Sequence, residues 1–242
     1  MDDYKKSLKN NYSDFEQYLK KSINKTEQQK VLEEILLMDE HFKNALSIAD
    51  FACGGGTLSY HLSDINKNAE FYLFDYLEEA LNLAKEININ NDRFNYQCAD
   101  IYKLELNDNT FDTVFCWQTL SWLDNPEKAL EELIRVTKKG GKLYLSSLFN
   151  TEHDVDSFSK VFDYSGGKTQ NNTYSYNTYS SYTIDRWISN LVEDFKIHNF
   201  QTSIPFEYKG RGLGTYTKKC NNEYLQISAG MLMNWGILEI TK

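Results

Sequence analysis

The chain has 242 residues, 41% of them hydrophobic and 25% charged, the make-up of a folded globular protein with one well-buried core. Lys and Arg number 26 against 35 Asp and Glu, a formal net charge of −9 with no basic cluster, which argues against nucleic-acid backbones or an anionic membrane as partner. No apolar run approaches 18 residues, the N-terminal MDDYKKSLKNNYSDFEQYLKK lacks the apolar centre of a secretory signal, and Cys53, Cys98, Cys116 and Cys220 show no C-x-x-C spacing, so the expectation is a cytoplasmic protein with free thiols and no metal site.

Residues 1–45 read as an N-terminal helical cap, in which Val31, Leu32, Ile35 and Leu36 recur at helical spacing. ALSIADFA then reads as a short buried strand running into a glycine loop, with TLSYHLSDI as a helix behind it. EFYLFDY is a strand, and LEEALNLAKEI is an amphipathic helix with Leu77, Leu81 and Ala84 on one face. RFNYQCAD and FDTVFCWQ are strands. DNPEKALEELIRVTKKGG carries helix punctuation at both ends: Asp124 or Asn125 to cap it, Pro126 for its first turn and Gly140 to end it, with Ala129, Leu130, Leu133 and Val136 as its buried stripe. KLYLSSLF closes the alternation, so residues 46–149 predict an α/β core: a parallel sheet with helices on both faces.

Residues 150–182 break the pattern. They are polar and rich in Tyr, Asn, Ser and Thr, and they read as a lid or insertion. Thr183 is placed to cap IDRWISNLVEDF, and the remainder of 183–242 alternates as strands with turns at Gly210, Gly212 and Asn221–Asn222. The whole reads as a single domain.

The loop SIADFACGGGTLS raises the chemical question. A loop that leaves a buried strand and opens a helix turns backbone toward a ligand, and glycines allow close approach and positive φ. Asp50 lies inside the strand end, Asp75 ends the next strand and Asp100 the third. A carboxylate at the second strand end can accept from both hydroxyls of an adenosine ribose. One at the third can accept from an adenine amine. A nicotinamide dinucleotide is the competing ligand, but its third loop glycine falls at Ser59, and no hydride-transfer site is evident.

Taken together, IADFACGGG, FYLFDY, QCADI and FDTVFCWQTLSWLDNPEKALEELIRVTKKGGKLYLSS resemble the successive motifs of class I S-adenosylmethionine-dependent methyltransferases, over roughly residues 40–150. The resemblance implies a Rossmann-like, seven-stranded, mostly parallel sheet and S-adenosyl-L-methionine as cofactor. It implies that Asp50, Ala52, Gly54 and Gly56 lie along the methionine part of that cofactor. Asp75 and Tyr76 would hold the ribose, Asp100 and Ile101 the adenine, and Trp117 and Gln118 would flank cofactor and substrate. Ala52 stands where the family usually has its first loop glycine.

For the acceptor, Trp122, Tyr176, Tyr179 and Arg211 are candidate substrate contacts, and His153, flanked by Glu152 and Asp154, is the candidate general base. His198 reads as facing solvent. The expected reaction is O-methylation of a small polar molecule, sugar-like or phosphate-bearing. A non-catalytic cofactor binder of the same fold, or a methyltransferase acting on protein or nucleic acid, are the alternatives.

Overall fold

The computed structural model describes residues 24–88, 91–151, 154–163, 172–199, 215–220, 223–228 and 234–242. Its elements in chain order are α1 (Glu27–Met38), α2 (Glu40–Asn44), β1 (Ser47–Phe51), α3 (Thr57–Ile65), β2 (Glu70–Asp75), α4 (Glu78–Ile87), β3 (Phe94–Cys98), β4 (Phe111–Cys116), a 3-10 turn (Leu120–Trp122), α5 (Pro126–Val136), β5 (Thr137–Asn150), β6 (Ser157–Asp163), β7 (Asn172–Ser180), α6 (Ser181–Ile188), β8 (Asp194–Asn199), β9 (Thr215–Cys220), β10 (Glu223–Ser228) and β11 (Asn234–Thr241).

The main sheet runs β3-β2-β1-β4-β5-β11-β8. Strands β1 to β5 pair in parallel, and β11 is antiparallel to both of its neighbours. Because these strands run parallel, the carboxyl ends of β1, β2, β3 and β4 lie along one edge, and the loops leaving them are neighbours. Reversal of chain order at β1 and β4 opens a crevice at that edge, the usual ligand position in open α/β sheets.

Alternation along β1 explains the two layers. Ile48 turns to a cluster with Leu32 and Leu36 of α1, Phe42 of α2, and Leu58 and Leu62 of α3. Ala49 and Phe51 turn to the other cluster, with Leu130 and Leu133 of α5 and Ile184 and Ile188 of α6. Each fully buried Leu or Ile there contributes about 1.5–3 kcal/mol of transfer free energy. The helix stripes fall as expected: Ala129, Leu130, Leu133 and Val136 are fully buried, and Asn125 Oδ1 accepts from the Lys128 N–H with Pro126 at the first helical position.

Three expectations are corrected. Gly140 does not end α5, which stops at Val136; at φ 70° it lies within β5, where the strand turns before rejoining β4. The cap of α6 is Ser180, whose Oγ accepts from the Thr183 N–H, while the Thr183 hydroxyl donates to Asp156 Oδ2 at 2.7 Å. His198 is half-buried on β8, with Nε2 2.7 Å from Glu239 Oε2, because β11 brings an acidic residue beside it.

Residues 150–182 contain an ordered element. β6 and β7 form an antiparallel hairpin, and β7 pairs in parallel with Phe149 and Asn150 at the end of β5. Since β11 occupies the other edge of Phe149, β7 takes the edge that β4 leaves free beyond Leu145. That position carries the hairpin over the segment leaving β4.

Candidate functional site

The glycine loop is built by two strand ends. The Cys53 N–H donates to the Phe74 carbonyl at 3.0 Å, the Gly54 N–H to Asp75 Oδ2 at 2.9 Å and the Gly56 N–H to the Cys53 carbonyl at 2.9 Å. These donors are therefore engaged within the protein. Gly56, at φ 68°, is the residue just before α3; a Cβ there would lie 2.8 Å from Leu73 Cδ2 and 3.0 Å from the Ala84 methyl. Its lack of a side chain serves the packing of the loop on β2 and α4. Gly54 also has positive φ, 54°.

Ala52 adopts φ 54°. An L-residue pays about 1–2 kcal/mol for that conformation. The loop thus takes at residue 52 the backbone that a glycine would adopt freely. Gln118 is likewise left-handed, at φ 52°, and both residues lie just past the Phe51–Cys116 pair of adjacent strands β1 and β4. Two strained turns at one sheet edge point to function rather than to chance.

Asp50 and Asp75 stand on the same face of the sheet, since Asp50 pairs with Leu73, two residues before Asp75. Both are buried. Asp50 Oδ2 accepts from the Ser59 hydroxyl at 2.8 Å, and its Oδ1 has no hydrogen-bond partner. Burial, partly offset by Ser59 and reinforced by Asp75, pushes the Asp50 carboxyl up to about 7. Burial also raises Asp75, against the N–H groups of Leu77 and Gly54 that stabilise its charged form. Ser59 is a neighbour of the site that sequence reasoning missed: its spacing from Asp50 becomes a contact only once α3 folds back over β1.

Asp100 follows β3, half-exposed, with Oδ1 accepting from the Tyr102 N–H at 3.1 Å. Ile101 packs partly against the core beside it, and Tyr76 lies half-buried next to Asp75. Trp117 and Gln118, both half-buried, follow β4. The structure therefore brings together, at one edge, Asp50, Ala52, Gly54, Asp75, Tyr76, Asp100, Ile101, Trp117 and Gln118.

The acceptor side is divided. Trp122 and Tyr176 meet with ring centroids 4.4 Å apart, joining the segment after β4 to the hairpin strand β7. Tyr179 is not on that wall: it is 2% exposed, packs on Phe158 and Trp187, and its hydroxyl accepts from Asn177 Nδ2. The strand's alternation turns Tyr179 into the core, which corrects its reading as a substrate contact. His153 and Arg211 lie outside the described residues. A buried hydroxyl pair, Ser121 Oγ and Ser147 Oγ at 2.5 Å, ties the 3-10 turn to β5. Among the described residues no group of three or more His, Cys, Asp or Glu is placed to hold a metal, and no helix is long and apolar enough to cross a membrane.

Residues 49–145 match the family model of a methyltransferase domain. This segment is similar to the class I S-adenosylmethionine-dependent methyltransferases. The match spans the methyltransferase domain from β1 into β5. A ubiquinone biosynthesis O-methyltransferase of Coxiella burnetii is 31% identical over 107 residues, 42% of this chain and 43% of that protein. A malonyl-[acyl-carrier protein] O-methyltransferase of Buchnera aphidicola is 31% identical over 154 residues, 63% of this chain and 57% of that protein. The chain spans about half the length of the curated relatives it matches. A solved structure of a putative methyltransferase from Bacillus halodurans aligns with TM-score 0.57 at 16% identity, covering 89% of this chain and 98% of that one, a likeness of fold.

S-adenosyl-L-methionine is the cofactor of this methyltransferase domain, and the residues present fit it. Buried acids beside the loop, one with an unpartnered oxygen, suit a ligand with positive charge and hydroxyl donors. They are unsuited to the pyrophosphate of a dinucleotide, which needs free N–H donors and no facing carboxylate.

Proposed function

We propose that the protein transfers a methyl group from S-adenosyl-L-methionine to an oxygen of a small polar acceptor, sugar-like or phosphate-bearing. The observation that carries the cofactor half is the pair of buried carboxyls, Asp50 and Asp75, on the face of the glycine loop. S-adenosyl-L-methionine supplies a methyl group already activated by a positive sulfur. The chain's own residues have the tasks of alignment and exclusion of water, which can account for several orders of magnitude in rate. Asp75 would accept from the ribose hydroxyls through the lone pairs left over by Gly54 and Leu77. Asp100 would accept from the adenine amine. The Trp117 ring offers a face to positive charge, and Gln118, held in a left-handed turn, orients a polar group beside it.

The oxygen preference draws on the two O-methyltransferase relatives and on His153 as general base, a role worth roughly 100- to 10,000-fold when the nucleophile is a hydroxyl. Trp122 and Tyr176 would form the acceptor wall, with Arg211 as anion partner. The test is in two stages. Calorimetric titration with S-adenosyl-L-methionine is expected to show saturable binding; its absence refutes the cofactor assignment. Turnover is then measured against a panel of sugars, sugar phosphates, carboxylic acids, phenols and amines. Methylation confined to amines would refute the oxygen reading, and binding without turnover on any acceptor would favour the non-catalytic alternative.

A further inference from the structure

Four buried side-chain oxygens among the described residues have no hydrogen-bond partner, and Asp50 Oδ1 is the one that belongs to a carboxyl. Asp50 is 1% exposed at the end of β1, its Oδ2 accepts from the Ser59 hydroxyl, and its Oδ1 meets no donor. Among the described residues, the elements packed against it supply no compensating charge. β2 offers Asp75, a second buried carboxyl. The loop offers the Cys53 thiol and β4 the Cys116 thiol, both pushed up by burial and by these acids, so neither is an anion or a cation there. α3 offers the neutral Ser59. Tyr96 on β3, beside Cys53, has a phenol pushed up to about 12 and is also neutral. No described Lys or Arg forms an ion pair with Asp50 or Asp75.

Two buried carboxylates facing one another without a cation cannot both stay ionised; the unfavourable pair is relieved by a proton or by an arriving positive charge. We propose that, before cofactor binds, Asp50 carries a proton, and that it gives this proton up to solvent when a positively charged group of S-adenosyl-L-methionine enters, so that cofactor capture and proton release are one event. The O–H bond of the Asp50 carboxyl breaks, the proton passes to bulk buffer, and the carboxylate left behind is the counter-charge of the bound cation. Asp75, raised by burial while the N–H groups of Gly54 and Leu77 favour its charged form, is the hydroxyl acceptor. The ordinary range of a carboxyl makes such coupling invisible near neutrality; burial of Asp50, which lifts it to about 7, brings it into that range. This inference rests on the cofactor assignment above.

The test is calorimetric titration of the full chain with S-adenosyl-L-methionine at pH 7 in two buffers of different ionisation enthalpy. The expected result is release of roughly half a proton per cofactor bound at that pH, and affinity that falls about tenfold for each pH unit below 7 and levels off above it. Asp50→Asn, run in the same buffers, subtracts any proton exchanged by the cofactor's own amine, and its proton release is expected to be smaller by the same half. Binding with the same proton stoichiometry in both proteins overturns the inference and leaves the cofactor assignment standing. No binding by the native chain overturns both. Should Asp50→Asn fail to fold, carboxyl-carbon NMR of the native protein without cofactor takes its place: a buried carboxyl titrating near 7 that shifts down on saturation supports the inference, and carboxyls that all titrate in the ordinary range refute it.

Discussion

The two edges of the central sheet treat the same side chain in opposite ways. At the amino edge, Asp112 accepts from the Leu46 and Ser47 N–H groups, from the Ser47 hydroxyl and from Lys138 Nζ at 2.7–3.0 Å. Burial alone would raise its carboxyl, but Lys138, Ser47 and the backbone donors outweigh that and hold it at about 2. At the carboxyl edge, three residues along β1 from Ser47, Asp50 has Ser59 for a partner and is pushed up to about 7. The same adjacent strands, β1 and β4, carry both. One carboxylate fastens the sheet; the other is left without its counter-charge. That contrast separates a position selected for stability from one selected for a ligand, because a fold gains nothing by burying an unpaired acid.

Asp75→Ala is expected to have the largest effect, weakening S-adenosyl-L-methionine binding by roughly 100-fold or more through loss of charge-assisted hydrogen bonds, with circular dichroism unchanged. Unaltered affinity would remove Asp75 from the ribose site. Asp112→Asn is the counterpart at the other edge: a loss of about 1–2 kcal/mol in urea unfolding, discounted for partial exposure, and cofactor affinity within twofold of native. An affinity loss matching that of Asp75→Ala would erase the distinction between the edges.

The pH dependence separates the two acids by sign. Asp112 lies below its unfolded value of 3.8, so its contribution is whole above about pH 5 and is lost as pH falls toward 2. Asp50 lies above 3.8, so the folded state binds the extra proton, and its contribution declines as pH rises from about 4 through 7. Asp50→Asn is therefore expected to be more stable than the native chain at pH 8 and nearly equal to it at pH 4; chemical unfolding at both values checks this, and a constant difference would contradict it. The smallest effect belongs to Ala52→Gly. Relief of the left-handed backbone, reduced by the greater entropy of unfolded glycine, is expected to raise stability by about 0.5–1 kcal/mol in thermal unfolding. A loss of stability would mean that the methyl group packs favourably enough to outweigh its strain.

The core was legible because its signals are local. Strand–helix alternation over 46–149, the Asn125–Pro126 helix start, and Asp75 and Asp100 at successive strand ends all lie in short windows of sequence, and the paired strands and caps are where those windows put them. The strand pairing within residues 150–182 was not legible because polar Tyr-, Asn- and Thr-rich strands lack the apolar alternation that marks a half-buried strand. β7 is held by its edge on β5 and by Trp122 against Tyr176, both contacts far apart along the chain. Tyr179 and Tyr176 looked equivalent in the sequence, and only the strand's pleat sends one inward.

By itself, the sequence determined the order of elements over residues 46–149, the glycine loop and the acids at or just past three strand ends, since propensity, capping and periodicity act over a few residues. Tertiary structure decided what those acids are. Whether Asp50 is ionised depends on the depth to which α3 and β2 bury it and on Ser59 and Asp75 being its neighbours there, and desolvation and Coulomb interaction are properties of arrangement in space rather than of order along a chain.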